Sequence, residues 1–140
     1  MHPAPSVIFF TVVSGTGYGM LFLLGYGAAT RLLPPDRILG FSAFAMAIGF
    51  ITVGLLASLL HLGRPERAWR AISQWRSSWL SREGLLAIAT YLPTIPFGIA
   101  WAFYSYNTDI FAVFGAVAGL LALATVYATA NIYASLKPIR

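Results

Sequence analysis

The sequence predicts an all-α integral membrane protein whose four transmembrane helices form an up-and-down bundle. Of its 140 residues, 59% are hydrophobic and only 9% are charged, whereas a soluble domain carries about 25% charged residues. Four long apolar runs each exceed the roughly 20 residues that cross the hydrocarbon of a bilayer. Because lipid offers backbone N–H and C=O groups no hydrogen-bond partner, each run is expected to be a helix.

The predicted spans form a single transmembrane domain over residues 1–140 and cover about residues 6–30, 38–62, 84–106 and 110–136. Gly15 and Gly19 in the first span, like Gly115 and Gly119 in the last, lie four residues apart. Small residues at this spacing let helix backbones approach closely. The first and last helices are therefore expected to pack together through these glycines.

The third predicted span contains Pro93 and Pro96. Each proline removes a backbone hydrogen-bond donor and tends to kink a helix. Ser81 is expected to cap this helix at its N-terminus, with Glu83 in its first turn, where the helix dipole favours an acid.

Most of the polar chemistry is concentrated in residues 58–83, which must reverse the chain outside the hydrocarbon. This stretch holds three of the four Trp residues and five of the nine Lys and Arg residues. Over residues 64–80, the apolar side chains fall on one half of a helical wheel, which predicts an amphipathic helix in the membrane interface. Arg76 falls inside the apolar half, which indicates either snorkelling to lipid headgroups or a contact with an anionic group or partner.

The charge and the residue types exclude several classes of site. The formal net charge of +5 comes from cations placed between apolar runs, which favours contact with lipid headgroups over nucleic acid. Without Cys, the chain offers no ligands for an iron–sulfur cluster. A haem with two His ligands is not expected, because His2 lies outside the first predicted span. The positive-inside rule places the middle loop in the cytoplasm, because that side of the membrane carries more Lys and Arg residues. The two sides carry equal numbers once the middle arginines are assigned to a binding surface.

His61 is the strongest candidate for chemistry, because an imidazole at the end of a span reaches both lipid-soluble ligands and water. It titrates near neutral pH and can accept a proton from a ligand that is being oxidised. With Arg67 and Glu83 on the same side of the membrane, it could bind and deprotonate a quinol. The alternatives are a His61 bonded to backbone or water, an Arg67 on a headgroup and a Glu83 paired with Arg82.

Two segments carry a family resemblance: His-Leu-Gly-Arg-Pro-Glu-Arg-Ala at residues 61–68 and Ser-Trp-Leu-Ser-Arg-Glu at residues 78–83. They resemble the H-L-G-x-P-x-R-A and S-x-L-S-x-E segments of DMSO reductase anchor subunits, the DmsC family, and both chain ends look similar as well. The resemblance implies the N-terminal half of a larger anchor in a bacterial inner membrane. It implies a quinol site at His61, Arg67 and Glu83, with menaquinol as bound substrate.

The same resemblance implies an iron–sulfur electron-transfer subunit and a molybdopterin catalytic subunit as partners. From its His and Cys content, the chain itself is expected to hold no haem and no iron–sulfur cluster. It implies an anchor that is itself not catalytic and that serves anaerobic respiration. Two alternatives stay open: half of a small membrane transporter, or a membrane scaffold without a ligand. The predicted spans hold no Asp, Glu, Lys or Arg, which counts against an ion-coupled transporter.

Overall fold

The computed structural model describes residues 5–34, 36–59, 68–104 and 109–135, and the regular structure within them is helical. The elements in chain order are α1 (Pro5–Ala29), α2 (Arg37–Leu59), the short α3 (Ala68–Ile72), α4 (Trp79–Ile99), a π-helical turn (Ala100–Tyr104) and α5 (Asp109–Ser135). Four helical segments are long and apolar enough to cross a membrane: Ile8–Ala29, Arg37–Leu59, Trp79–Phe103 and Ala112–Ile132. The predicted all-α membrane fold with four spanning helices is confirmed.

The four long helices pack in a ring in the order α2, α1, α5, α4. Extensive contacts join α1 to α2, α1 to α5 and α5 to α4, whereas α2 meets α4 mainly through the π-helical turn. We call the end that holds this turn and the α1–α2 connection the distal end. The opposite end, with the C-terminus of α2, α3 and the N-terminus of α4, is the proximal end. The edge between α2 and α4 is therefore closed at the distal end and looser toward the proximal end.

Glycines bring α1 close to its neighbours. On α1 these glycines are not the predicted Gly15 and Gly19. A Cβ at Gly25 would collide with the backbone of Gly115, and one at Gly119 would contact Phe22, so α1 and α5 do pack closely. Gly15 and Gly19, by contrast, have open space where a side chain would be. The predicted pair of helices is correct, but the predicted face of α1 is wrong. Pairs of small residues four positions apart cannot be ranked from the sequence, because the rotation of the helix decides which pair faces the neighbouring helix.

An aromatic cluster closes the distal end of the ring. The rings of Phe44 and Phe97 meet edge to face, with centroids 4.9 Å apart, and Trp101 packs against both. The Trp101 indole Nε1 donates a hydrogen bond of 3.1 Å to the carbonyl of Asp36. Gly40 leaves the space that the indole fills, since a Cβ there would clash with its ring. Trp101 therefore joins the end of α4 to the start of α2.

The predicted interfacial helix over residues 64–80 is not confirmed. Residues 64–67 lie outside the described part of the chain, α3 covers Ala68–Ile72, and residues 73–77 form turns. The N-cap of α4 is Ser78, whose hydroxyl accepts a hydrogen bond from the backbone N–H of Ser81. The predictions that Ser81 caps this helix and that Glu83 lies in its first turn are thus wrong. The earlier start places Glu83 in the second turn, one turn closer to the core.

Candidate functional site

Glu83 lies inside the helix bundle at the proximal end, with only 5% of its surface exposed. It belongs to α4, within the segment Trp79–Phe103 that is long and apolar enough to span a membrane. The expectation that the spans hold no Asp, Glu, Lys or Arg is therefore wrong for this residue. A buried carboxyl group is costly unless it is neutral or well hydrogen-bonded, and such residues inside membrane proteins mark functional sites.

Thr129 of α5 supplies a hydrogen bond to this carboxyl group. Its Oγ1 lies 2.5 Å from Oε1 of Glu83 and 3.0 Å from the carbonyl oxygen of Thr125. A hydroxyl can donate one hydrogen bond and accept others. Thr129 can therefore donate to an ionised Glu83, or accept from a protonated Glu83 while donating to the Thr125 carbonyl. The pair accommodates both protonation states of the carboxyl group without moving either helix.

A row of threonines continues from this pair toward the middle of the bundle. The hydroxyl oxygens of Thr90 and Thr125 lie 3.4 Å apart across the α4–α5 contact. The hydroxyl of Thr94 donates to the Thr90 carbonyl at 2.5 Å, and that of Thr125 donates to the Leu121 carbonyl. Because their hydroxyls bond to carbonyls of their own helices, these threonines mainly provide small, satisfied polar surfaces through which α4 and α5 pack.

Two tyrosines add polar groups between the helices. Tyr91 of α4 shares a 2.8 Å hydrogen bond with Thr52 of α2, which crosses the loosely closed α2–α4 edge. Tyr18 of α1 is buried, and its hydroxyl has no hydrogen-bond partner among the described residues. Together with Glu83 and Thr129, these residues bring polar groups from all four long helices into the bundle.

A narrow crevice lies on the α2–α4 edge, beside the Thr52–Tyr91 hydrogen bond. Its lining is contributed by three helices and consists of Leu21, Ile48, Ile51, Thr90, Tyr91 and Thr94. Most of this lining is apolar, with hydroxyl groups on the α4 side.

Arg82 does not pair with Glu83, although this pairing was the alternative to a site role for Glu83. Its Nε donates to the Trp75 carbonyl and its Nη2 to the Arg76 carbonyl, each at 2.8 Å. Its guanidinium also lies 4.4 Å from the ring centroid of Trp79. Arg82 therefore ties the turns after α3 to the start of α4, and Glu83 is left to interact within the bundle.

Arg70 and Arg76 lie on the exposed surface of the proximal end, and each stacks on the preceding tryptophan. The guanidinium carbons lie 5.3 Å from the ring centroids of Trp69 and Trp75, respectively. Both tryptophans are themselves exposed. Arginine stacked on tryptophan is well suited to the headgroup region, where apolar and charged groups meet. Whether Arg76 contacts lipid or a partner stays a prediction.

Of the three predicted site residues, the structure describes Glu83. His61 and Arg67 lie outside the described residues, in the connection between α2 and α3, so their meeting with Glu83 stays a prediction. Sequence reasoning missed Thr129, Tyr18 and Tyr91, because single polar residues in apolar runs are ordinary. The one available signal was the four-residue spacing of threonines in the last two spans.

Metal ligands do not cluster in the described ranges. Within residues 5–34, 36–59, 68–104 and 109–135, no group of three or more His, Cys, Asp or Glu side chains could hold a metal ion. The chemistry that the described residues offer at the proximal end is therefore that of a carboxyl group and several hydroxyls. Such groups hold and transfer protons.

Comparison with known proteins decides the family. The sequence profile described as DMSO reductase anchor subunit (DmsC) matches residues 1–139. The chain belongs to the DMSO reductase anchor subunit family. The resemblance noted in the sequence is thus confirmed, and the anchor subunit family together with the four apolar helices identifies a multi-pass membrane protein.

A curated relative of this anchor subunit is a sulfite dehydrogenase subunit from Allochromatium vinosum. The two sequences are 35% identical over 151 aligned residues, which include 98% of this chain and 46% of the relative. The chain thus spans about half the length of that protein. No solved structure matches the chain.

Proposed function

We propose that this chain is the quinol-binding part of the membrane anchor of a DMSO-reductase-type molybdopterin oxidoreductase. In this proposal the anchor oxidises menaquinol during anaerobic respiration. It passes the electrons to an iron–sulfur subunit, which supplies the molybdopterin catalytic subunit. Membership of the anchor subunit family supports the complex, and the buried Glu83 bonded to Thr129 supports a site for proton chemistry. The chain is then the N-terminal half of a longer anchor in the inner membrane of a bacterium.

The proposed roles follow from the balance of the reaction. A quinol that loses two electrons to become a quinone also loses two protons. His61 binds one quinol oxygen and accepts its proton, and Arg67 stabilises the oxygen while it carries negative charge. Glu83 accepts or relays a proton, a role for which the Thr129 hydroxyl is suited because it can bond to both forms of the carboxyl group. The electrons go directly to the iron–sulfur partner, since we propose no haem or iron–sulfur cluster in this chain.

The loosely closed α2–α4 edge supports binding from the lipid. A ring that approaches this edge from the lipid can keep its isoprenoid tail in the hydrocarbon. The proximal end also holds the end of α2 and the start of α3, the two elements that flank His61 and Arg67.

The name of the Allochromatium vinosum relative favours a second candidate, in which electrons flow the other way. A sulfite dehydrogenase removes electrons from its substrate, so its anchor would reduce a quinone. In that case the same residues would deliver two protons to the quinone. The direction depends on the partner enzyme and its substrate, and the residues of the site serve either direction by microscopic reversibility.

A transporter half and a ligand-free scaffold remain alternatives from other classes. The buried Glu83 removes the argument that the spans hold no ionisable residue. Family membership is what favours the anchor, because anchors of this family are named for their place in a reductase complex.

The central experiment compares two electron donors in the assembled complex. His61→Ala and Glu83→Gln should each lower quinol-dependent reduction of the acceptor by roughly 10- to 100-fold, the effect of losing a hydrogen bond to a charged group. Activity with a soluble dye that donates to the partner subunits should stay unchanged. Thr16→Val is the control, because Thr16 is exposed and its hydroxyl bonds to the Val12 carbonyl of its own helix.

Normal quinol turnover in both His61→Ala and Glu83→Gln would contradict the proposal. Equal loss of quinol-dependent and dye-dependent activity would indicate a damaged complex, which the amount of partner subunits bound to the membrane would reveal. The direction of electron flow is tested by supplying quinone with sulfite and, separately, menaquinol with an S-oxide or N-oxide acceptor. Quinone reduction by sulfite alone would favour the second candidate.

A further inference from the structure

Three arginines at the proximal end are stacked on tryptophans and have no acidic partner in the described part of the chain. We call this set the Arg–Trp surface, and it consists of Trp69, Arg70, Trp75, Arg76, Trp79 and Arg82. The described acidic residues lie elsewhere. Asp36 and Asp109 lie at the starts of α2 and α5, at the distal end, and Glu83 is buried and bonded to Thr129. The described residues therefore leave the positive charge of this surface unneutralised.

Two of these arginines are held next to each other by hydrogen bonds to the backbone. The Arg82 guanidinium donates to the carbonyls of Trp75 and Arg76, each at 2.8 Å, and so lies beside the Arg76 backbone. A guanidinium has five N–H donors, and stacking on a ring uses its flat face and leaves its edge available. Two neighbouring cations with donors to spare repel each other and favour an anion between them.

The position of Arg82 along α4 limits what this anion can be. Arg82 lies in the first turn of the segment Trp79–Phe103, which is long and apolar enough to cross a membrane. Leu80, on the same turn, is 55% exposed. A ligand of Arg82 thus meets a cation at one end and hydrocarbon at the other. A phospholipid offers both a phosphate and acyl chains, whereas the acidic surface of a soluble protein offers charge alone.

We infer that the Arg–Trp surface binds the phosphate group of an anionic phospholipid, held by charge-assisted hydrogen bonds from Arg76 and Arg82. The planar guanidinium matches the geometry of phosphate oxygens, which favours arginine at such sites. The acyl chains of this lipid run along the outside of α4, and Trp75 lies at the level of its glycerol. The site needs no quinol, so it is independent of the proposed function.

The test measures lipid binding to the full chain by native mass spectrometry. Delipidated protein in a neutral detergent is titrated with phosphatidylglycerol and, separately, with phosphatidylcholine of the same acyl chains. The main variant is Arg76→Gln, because the Arg76 side chain is exposed and its backbone carbonyl still accepts the bond from Arg82. The matched control is Arg37→Gln, which removes a cation at the distal end, where Arg37 donates to the Phe103 carbonyl.

The unmodified chain should bind phosphatidylglycerol more tightly than phosphatidylcholine. Arg76→Gln should weaken binding of phosphatidylglycerol by about 5-fold, the usual effect of one cation near an anionic lipid surface. Arg37→Gln should leave this binding unchanged, and neither variant should alter binding of phosphatidylcholine. Arg76→Lys keeps the charge but not the planar group, so its loss should be smaller than that of Arg76→Gln.

Three results would overturn the inference. Equal affinity of the unmodified chain for the two lipids would show that no anionic site exists. Equal losses in Arg76→Gln and Arg37→Gln would show that any cation at a membrane surface has the same effect. Unchanged lipid binding in Arg76→Gln, together with weaker binding of the partner subunits to the membrane, would show that the surface docks a protein instead.

Discussion

Thr129 Oγ1 lies 2.5 Å from Glu83 Oε1, so the only carboxyl group described inside the spanning part of α4 is held by the last helix of the bundle. This bond joins two elements that are far apart in sequence but adjacent at the proximal end. It also makes the position of Glu83 depend on the packing of α4 on α5.

Thr129→Val should lower the free energy of unfolding by about 1–2 kcal/mol. This expected loss exceeds the average of ~0.6 kcal/mol for hydrogen bonds between membrane helices and overlaps the ~1.5–3 kcal/mol for bonds to charged groups. Val keeps the shape of Thr but cannot bond to Glu83. Unfolding in mixed detergent micelles gives the measurement. Thr16→Val should change the free energy by much less, and equal losses in the two variants would contradict a special role for Thr129.

Gly25→Ala should destabilise the bundle, and Gly19→Ala should not. A methyl group at Gly25 collides with the backbone of Gly115, which cannot rotate away, whereas Gly19 faces open space. Overpacking of this kind typically costs about 1–3 kcal/mol. The melting temperatures of the two variants in detergent provide the comparison. Loss of stability in Gly19→Ala alone would show that the open face is covered in the assembled protein.

Trp69 and Trp75 should lie at the depth of the lipid headgroups. Both are exposed next to stacked arginines, whereas Trp101 is fully buried in the distal aromatic cluster. In variants that retain one tryptophan, shallow lipid-attached quenchers should quench Trp69 and Trp75 more than deep ones do. Trp101 should be quenched weakly by both. Stronger quenching of Trp75 by deep quenchers would place residues 73–77 inside the hydrocarbon instead.

Arg82→Lys should loosen the turns that follow α3. An ammonium group cannot reproduce the two hydrogen bonds that the Arg82 guanidinium donates to the Trp75 and Arg76 carbonyls. With Trp75 as the single tryptophan, its fluorescence anisotropy should therefore fall. Arg70→Lys serves as control, because Arg70 stacks on Trp69 and lies outside this pair of bonds. Unchanged anisotropy in Arg82→Lys would mean that other contacts hold the turns.

The four helices could be predicted because length and hydrophobicity alone determine whether a segment crosses lipid. The position of Glu83 could not be predicted as reliably. Ser78 and Ser81 are both good N-caps, and the choice between them depends on tertiary contacts: Trp79 packs edge to face on Tyr127, and Ile72 lies over Gly84. Because the N-cap lies three residues earlier than predicted, Glu83 lies in the second turn of the helix and not in the first.

Tyr18 illustrates a further limit of sequence reasoning. From the sequence, a tyrosine in a glycine-rich apolar span is interpreted as a packing residue. The neighbours of Tyr18 along the chain do not distinguish it from Tyr26. The structure separates the two, because one lies inside the ring of helices and the other outside it. Which residues share a site depends on helix rotation, and the apolar periodicity of a membrane helix defines that rotation poorly when lipid and core are equally apolar.

The aromatic cluster fixes the α2–α4 edge at its distal end, so any opening of this edge would pivot there. Phe44, Phe97 and Trp101 clamp the two helices at one end, and from Phe44 to Leu59 helix α2 extends about 22 Å at 1.5 Å per residue. A rotation of about 5° at the clamp, in which α2 moves together with the α1 helix packed on it, would therefore displace the C-terminal end of α2 by about 2 Å relative to α4 over that lever arm. The Thr52–Tyr91 hydrogen bond lies about halfway along this length of α2 and joins α2 to α4 there. Small thermal swings of α2 would thus widen the edge most where it faces the proximal end, while the clamped end keeps its spacing.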